Sequence, residues 1–189
     1  MLKPFEKFFL ATPVVFGKLV NINDIPNRPS VYKKSIPDTI KAVLSDPDYI
    51  IDNIYLGGTM GASNYEFLRN NDIKYVVNIS DNVPNFFRER EIDYLKIDKK
   101  DDGEEDITSE DFDNAYKFIL DTQEEGKNVL VHCFAGRSRS VAILIYYLNK
   151  RYDYTIQKSL DFLKERRKWV NPSTKFIDNL TRICEKEEI

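Results

Sequence analysis

The chemistry in this chain gathers in His132-Cys133-Phe134-Ala135-Gly136-Arg137-Ser138-Arg139-Ser140, where a cysteine and an arginine bracket five residues that include a glycine. A thiol attacks only as its thiolate, and a nearby guanidinium or a helix N-terminus favours that ionised form. A guanidinium also holds two oxygens of a phosphate side by side. The backbone N–H groups from Phe134 through Ala135, Gly136, Arg137 and Ser138 to Arg139 can surround an oxyanion. A thiolate, a cradle of amides and a forked cation together suit displacement at phosphorus.

The loop acts only if its flanks aim it. Val129-Leu130-Val131 is an apolar run that reads as a buried strand. After the loop, Val141, Leu144, Ile145 and Leu148 recur at helical spacing, so a helix is expected from Ser140. A strand turning sharply into a helix points its loop amides, and the positive end of the helix, at one spot.

Departure of an alkoxide or phenoxide also needs a proton. The stretch after Tyr94-Leu95-Lys96-Ile97 offers Asp98, Asp101, Asp102, Glu104, Glu105 and Asp106, and residue type alone does not choose among them. His132 is the only histidine, and a solitary histidine is more often a satisfied core residue than a catalyst. One histidine and two distant cysteines, Cys133 and Cys184, make no recognisable metal-ligand set, and no cofactor is called for.

The elements around the loop alternate in type. Ile50 to Leu56 reads as one or two strands, broken at Gly57-Gly58, and Ala62 to Asn71 as a short helix. Tyr75–Ile79 and Tyr94–Ile97 read as strands, separated by a loop from Ser80 to Arg90. Phe86 and Phe87 in that loop either border the phosphate site or pin the loop to the core. Thr108 can cap a helix from Ser109 to about Glu124, with Phe112, Ala115, Ile119 and Leu120 on one face. Thr155 caps the next, with Ile156, Leu160 and Leu163 inward and Lys164, Arg166, Arg167 and Lys168 outward; a last helix carries Phe176, Ile177, Leu180 and Ile183. Strands alternating with helices predict an α/β fold, a mostly parallel central sheet flanked by helices on both faces. The reactive loop then falls at the carboxyl end of a strand, where such sheets bind ligands.

The chain has 189 residues, 42% hydrophobic and 31% charged, which suits one domain with an ordinary core. A net charge of −3 argues against nucleic acid as a partner. Two cysteines give no disulfide framework and fit a reducing compartment. No apolar run approaches a membrane span, so a cytoplasmic location, with the nucleus also open, is expected and no membrane partner. Residues 1–46 differ from the rest: Pro4, Pro13, Pro26, Pro29 and Pro37 punctuate them, while Phe5, Phe8, Phe9 and Phe16 are too apolar for a solvated tail. They are expected to form an N-terminal arm packed on a domain of residues 47–189.

His132 to Ser140 resembles the HCxxGxSRS signature of the dual-specificity protein phosphatases, a branch of the cysteine-dependent protein tyrosine phosphatases, and the resemblance runs from about Asp48 to Leu180. It implies that Cys133 is the nucleophile and forms a phosphocysteine, that Arg139 and the loop amides bind the phosphate, and that Ser140 stabilises the departing thiolate. It implies that His132 is a buried support of the loop. It also implies that Asp101 is the general acid, with Asp102 the runner-up. Phosphorylated proteins, a protein kinase among them, are the implied partners, and oligomeric state stays open. Two departures stand out: Pro172-Ser173 replaces Pro-Asn before the last helix, and Arg137 occupies a position that is apolar in many relatives. A second loop cation resembles phosphoinositide-directed relatives, but Phe134 breaks their flanking basic pair, so protein substrates are favoured. The alternatives are a lipid phosphatase of the same mechanism and a binding module for phosphorylated residues without turnover.

Overall fold

β5 (Asn128–His132) is the middle strand of the five, and its apolar run follows from that place. The strands β1 (Asp48–Ile51), β2 (Ile54–Gly57), β3 (Ile73–Ile79) and β4 (Asp93–Ile97) join it in the order β1-β2-β5-β3-β4. β2, β5, β3 and β4 run parallel, and β1 pairs antiparallel with β2 at the edge. The computed structural model describes residues 36–100 and 106–187. Of the expected arm, residues 1–35 lie outside the described residues, and Asp38–Leu44 forms the short helix α1.

Side chains on successive strand residues point to opposite faces. Val129 and Val131 of β5, with Ile54, Leu56, Val77 and Ile79 of its neighbours, face α4 (Ser109–Glu124), α5 (Arg139–Tyr152), α6 (Ile156–Arg166) and α7 (Thr174–Glu187). Leu130, with Val76 and Ile73, faces the smaller layer of α2 (Thr59–Ala62) and α3 (Tyr65–Asn70). A strand covered on both sides has no polar face to keep, so β5 reads as continuous apolar sequence. Phe86 and Phe87 pack into this smaller layer beside Tyr65 and Tyr94, which makes them anchors of their loop.

Local chemistry sets most of the boundaries. Thr108 and Asp111 form a reciprocal capping box, with Asp111 N donating to Thr108 Oγ1 at 3.1 Å and Thr108 N to Asp111 Oδ2 at 2.9 Å. Thr155 Oγ1 accepts from Lys158 N at 3.2 Å at the start of α6. One reading changes, and one left open is decided. The single helix expected from Ala62 is split into α2 and α3, because the Asn64 side chain accepts from Phe67 N at 3.1 Å and starts a new helix. The stretch from Ile50 to Leu56 is a hairpin turned by Asp52 and Asn53, whose φ values of 47° and 65° suit the tight turns that match strand twist. Among the described residues no helix is long and apolar enough to cross a membrane.

Candidate active site

The loop between β5 and α5 begins at Cys133 and closes on Arg139, the first residue of α5. α5 is buried from Arg139 to Leu148, so the helix whose positive end meets the loop lies in the middle of its layer. The loop is pressed onto the corner after β2. Gly136 has φ +63°, and a Cβ there would lie 2.2 Å from the Gly57 oxygen. Only glycine fits both the left-handed backbone and that approach. Thr59 seals the neighbouring peptide, its N and Oγ1 each donating to the Phe134 oxygen at 2.9 Å.

Cys133 is 1% exposed, at the floor of the loop. Ser140 Oγ donates to its Sγ at 3.3 Å, and the backbone N–H groups of Ser140 and Arg137 also point at the sulfur. Burial pushes the thiol up, but the Arg139 charge and these three donors together outweigh it and hold the thiol below its ordinary value. The surroundings therefore favour the thiolate more than water alone would.

Arg139 is 2% exposed, and its Nη1 donates to the Lys99 carbonyl at 2.6 Å, with Asp81 Oδ1 at 3.8 Å. Lys99 in turn places its Nζ 3.0 Å from Asp111 Oδ2. The chain leaving β4 thus reaches the guanidinium and is fastened to the head of α4. Asp101 and Asp102, along with Glu104 and Glu105, lie outside the described residues. Asp98 and Asp106 are occupied elsewhere, Asp98 by Lys96 at 3.3 Å and Asp106 by Arg182 at 3.4 Å and Lys175 at 3.6 Å.

His132 is fully buried, and its Nδ1 donates to the Cys133 carbonyl at 3.2 Å. Burial, reinforced by the charges of Lys96 and Arg139, drives its pKa down to about 4, so the ring is neutral near pH 7. Ser138 Oγ accepts from Ser173 N at 3.1 Å, and Ser173 Oγ accepts from Phe176 N at 3.4 Å in the first turn of α7. The bond from position 173 to the loop therefore uses the backbone and does not depend on asparagine. Arg137 sends its side chain away from the loop interior: Nε donates to the Trp169 carbonyl at 3.0 Å and Nη1 to Thr39 Oγ1 at 2.6 Å. Phe134 stands at the rim, 39% exposed, while Ala135 and Gly136 are buried.

Cys133, with the Arg137 and Ser140 N–H groups and the Ser140 hydroxyl on its sulfur and the buried Arg139 beside it, is the centre of this site. The model of the dual specificity phosphatase catalytic domain matches residues 54–186. The chain belongs to the dual-specificity phosphatase family. It is 31% identical over 152 residues to the protein phosphatase Slingshot of Drosophila melanogaster, covering 79% of this chain and 14% of that protein. It is 31% identical over 145 residues to human dual specificity protein phosphatase 9, covering 76% of this chain and 38% of that one. The chain thus spans well under half the length of these relatives. Among solved structures, DUSP15 superposes with a TM-score of 0.67 at 28% identity, covering 71% of this chain and 85% of that one. Human DUSP28 superposes at 0.71 with 22% identity, covering 78% and 98%, a likeness of fold.

One buried cation of the site departs from the expectation drawn from the sequence. Arg167, expected to face outward on α6, is fully buried against the loop. α6 ends at Arg166, and residue 167 is extended, with φ −134° and ψ 106°, so its side chain leaves the helical path, while Lys164 and Arg166 within the helix stay exposed. Nothing in the charge run Lys164–Lys168 marks one member as buried.

Proposed function

We propose that this chain is a protein phosphatase that hydrolyses phosphotyrosine, and phosphoserine and phosphothreonine with it, through a phosphocysteine intermediate in intracellular signalling. The observation that carries this reading is the state of Cys133: a buried sulfur held toward its thiolate by the Arg139 charge, the Ser140 hydroxyl and the Ser140 and Arg137 N–H groups. The thiolate attacks phosphorus while the bond from phosphorus to the ester oxygen breaks. Arg139 and the amides of residues 134–139 take up the charge on the phosphoryl oxygens. The leaving oxygen receives its proton from Asp101, or from Asp102 if the loop presents that residue instead. Water then attacks the phosphocysteine, its proton passes to the same carboxylate, and the bond to sulfur breaks. Ser140, hydrogen-bonded to Sγ at 3.3 Å, stabilises the thiolate as it departs.

Protein substrates are favoured over inositol phospholipids because Arg137 directs its guanidinium to Trp169 and Thr39 and the neighbouring rim residue is the apolar Phe134. A polyphosphorylated headgroup rewards flanking cations that face the ligand. Phosphorylated signalling proteins, including kinases, in the cytoplasm or nucleus are the proposed substrates.

The test is a rapid-mixing burst on an aryl phosphate, run beside a panel of phosphopeptides and phosphoinositides. Cys133→Ser should abolish the burst. Asp101→Asn should lower turnover of alkyl phosphates, which need the proton, far more than that of activated aryl esters. Absence of both burst and steady turnover in the wild-type protein would refute the enzyme reading, and preference for phosphoinositides would refute the protein one.

A further inference from the structure

Arg167 sits behind the phosphate loop at 0% exposure, with its donors directed at six oxygens. Two belong to the loop: Nε donates to the Gly136 carbonyl at 3.0 Å and Nη2 to the Ala135 carbonyl at 3.3 Å. The other four belong to the segment Ala42–Asp48, from the last turn of α1 to the first residue of β1. Nη1 donates to Asp48 Oδ2 at 2.7 Å and the Asp46 carbonyl at 3.2 Å. Nη2 donates to the Ala42 carbonyl and to Ser45 Oγ, both at 3.2 Å. A buried cation is costly unless its donors are satisfied, and this one is satisfied by the backbone of the reactive loop and by a segment that precedes the matched family region.

The geometry has a direct effect on the N–H groups. In a trans peptide the C=O and the following N–H point to opposite sides, and none of the peptides is cis. Pulling the Ala135 and Gly136 carbonyls outward therefore turns the N–H groups of Gly136 and Arg137 inward. The Arg137 N–H does point at Sγ. The charge matters as well, since Arg167 and the Cys133 thiolate attract one another. Arg139 from α5 lowers the thiol, and the thiolate in turn favours the charged form of Arg167 behind the loop, while His132 is neutral and the Arg137 guanidinium is turned to Trp169.

We propose that Arg167 is a positioning residue of the phosphate loop: it aims the Gly136 and Arg137 N–H groups at sulfur and phosphate, sets a second positive charge beneath the thiolate, and makes the segment Ala42–Asp48 part of the reactive apparatus. The inference rests on the phosphatase reading above for its consequence in turnover, but its effect on the thiol stands without turnover.

The experiment follows iodoacetamide alkylation of Cys133 against pH in the full chain, with kcat and KM on an aryl phosphate in parallel. Arg167→Lys keeps the charge but loses the fork, so it cannot hold both carbonyls. Its alkylation midpoint should rise, and kcat/KM should fall by about tenfold, as for loss of a charge-assisted hydrogen bond. Asp48→Asn keeps both loop contacts and leaves the cation unopposed, so its midpoint should fall. Asp48 is 42% exposed, so this variant decides the matter if Arg167→Lys does not fold. A folded Arg167→Lys with the wild-type midpoint and kcat/KM, or an Asp48→Asn whose midpoint does not move, would overturn the proposal. Wild-type protein that alkylates as expected but shows no turnover would remove the phosphatase reading and leave the positioning result standing.

Discussion

His132→Gln should flatten the acid side of the stability curve, by an amount that follows from the burial of the ring. The imidazole titrates near 6.5 when exposed and at about 4 in the folded protein. Between those values the unfolded chain binds a proton that the folded chain refuses, so the unfolded state gains as pH falls. The contribution of His132 is fully present above pH 6.5, erodes as pH falls through the window, and is lost by about pH 4. At roughly 1.4 kcal/mol per pH unit, the loss is about 2 kcal/mol by pH 5 and about 3 kcal/mol over the whole window. For a chain of this size about 2 kcal/mol corresponds to a midpoint shift of roughly 4–8 °C. The assay is urea unfolding of both proteins at pH 7.5 and pH 5. Glutamine will lower stability at both, and the quantity that matters is the difference between the two pH values. Asp111, whose carboxylate is held below its ordinary value by Thr108 and Lys99 against the opposing effect of burial, contributes to acid loss in both proteins and cancels. An equal pH dependence in wild type and variant would refute the argument that the ring is buried neutral. The same neutrality predicts no imidazole limb in the activity profile from pH 5.5 to 7.5.

Two further changes test the loop. Gly136→Ala places a methyl 2.2 Å from the Gly57 oxygen on a backbone at φ +63°, so kcat should fall by at least about a hundredfold while circular dichroism stays native; wild-type turnover would contradict the close approach. Ser140→Ala removes the hydroxyl that donates to Sγ at 3.3 Å, a charge-assisted bond worth about 2 kcal/mol, so hydrolysis of the phosphocysteine should slow roughly thirtyfold and the burst should stand out from a slow steady phase. A steady-state rate equal to wild type would show that the hydroxyl does not serve the departing sulfur.

The parts of this protein legible in one dimension are those whose causes lie within a few residues. The Val129–Val131 run predicts a covered strand because a strand buried on both faces has no solvent side to fill with polar residues. Thr108 and Thr155 mark helix starts because a cap acts across three positions. The strand, Cys133, Gly136 and Arg139 predict an anion site because the loop that carries them is itself local. The hairpin at Asp52-Asn53 was partly legible: the strand stretch was visible, while the antiparallel edge depended on two left-handed residues in the turn.

What the amino-acid order determined by itself is therefore the reactive loop and the alternation of elements that sets it at the end of a parallel strand. Tertiary structure decided where the cations point. Arg137 lies inside the loop motif yet turns out to Trp169 and Thr39, whereas Arg167 lies in an ordinary charge run yet turns in to Ala135 and Gly136. Periodicity and capping act over a few residues, but these guanidiniums meet partners as far as 125 positions away in sequence. Which carbonyls gather around a buried charge is settled only when α1, β1 and the loop pack together.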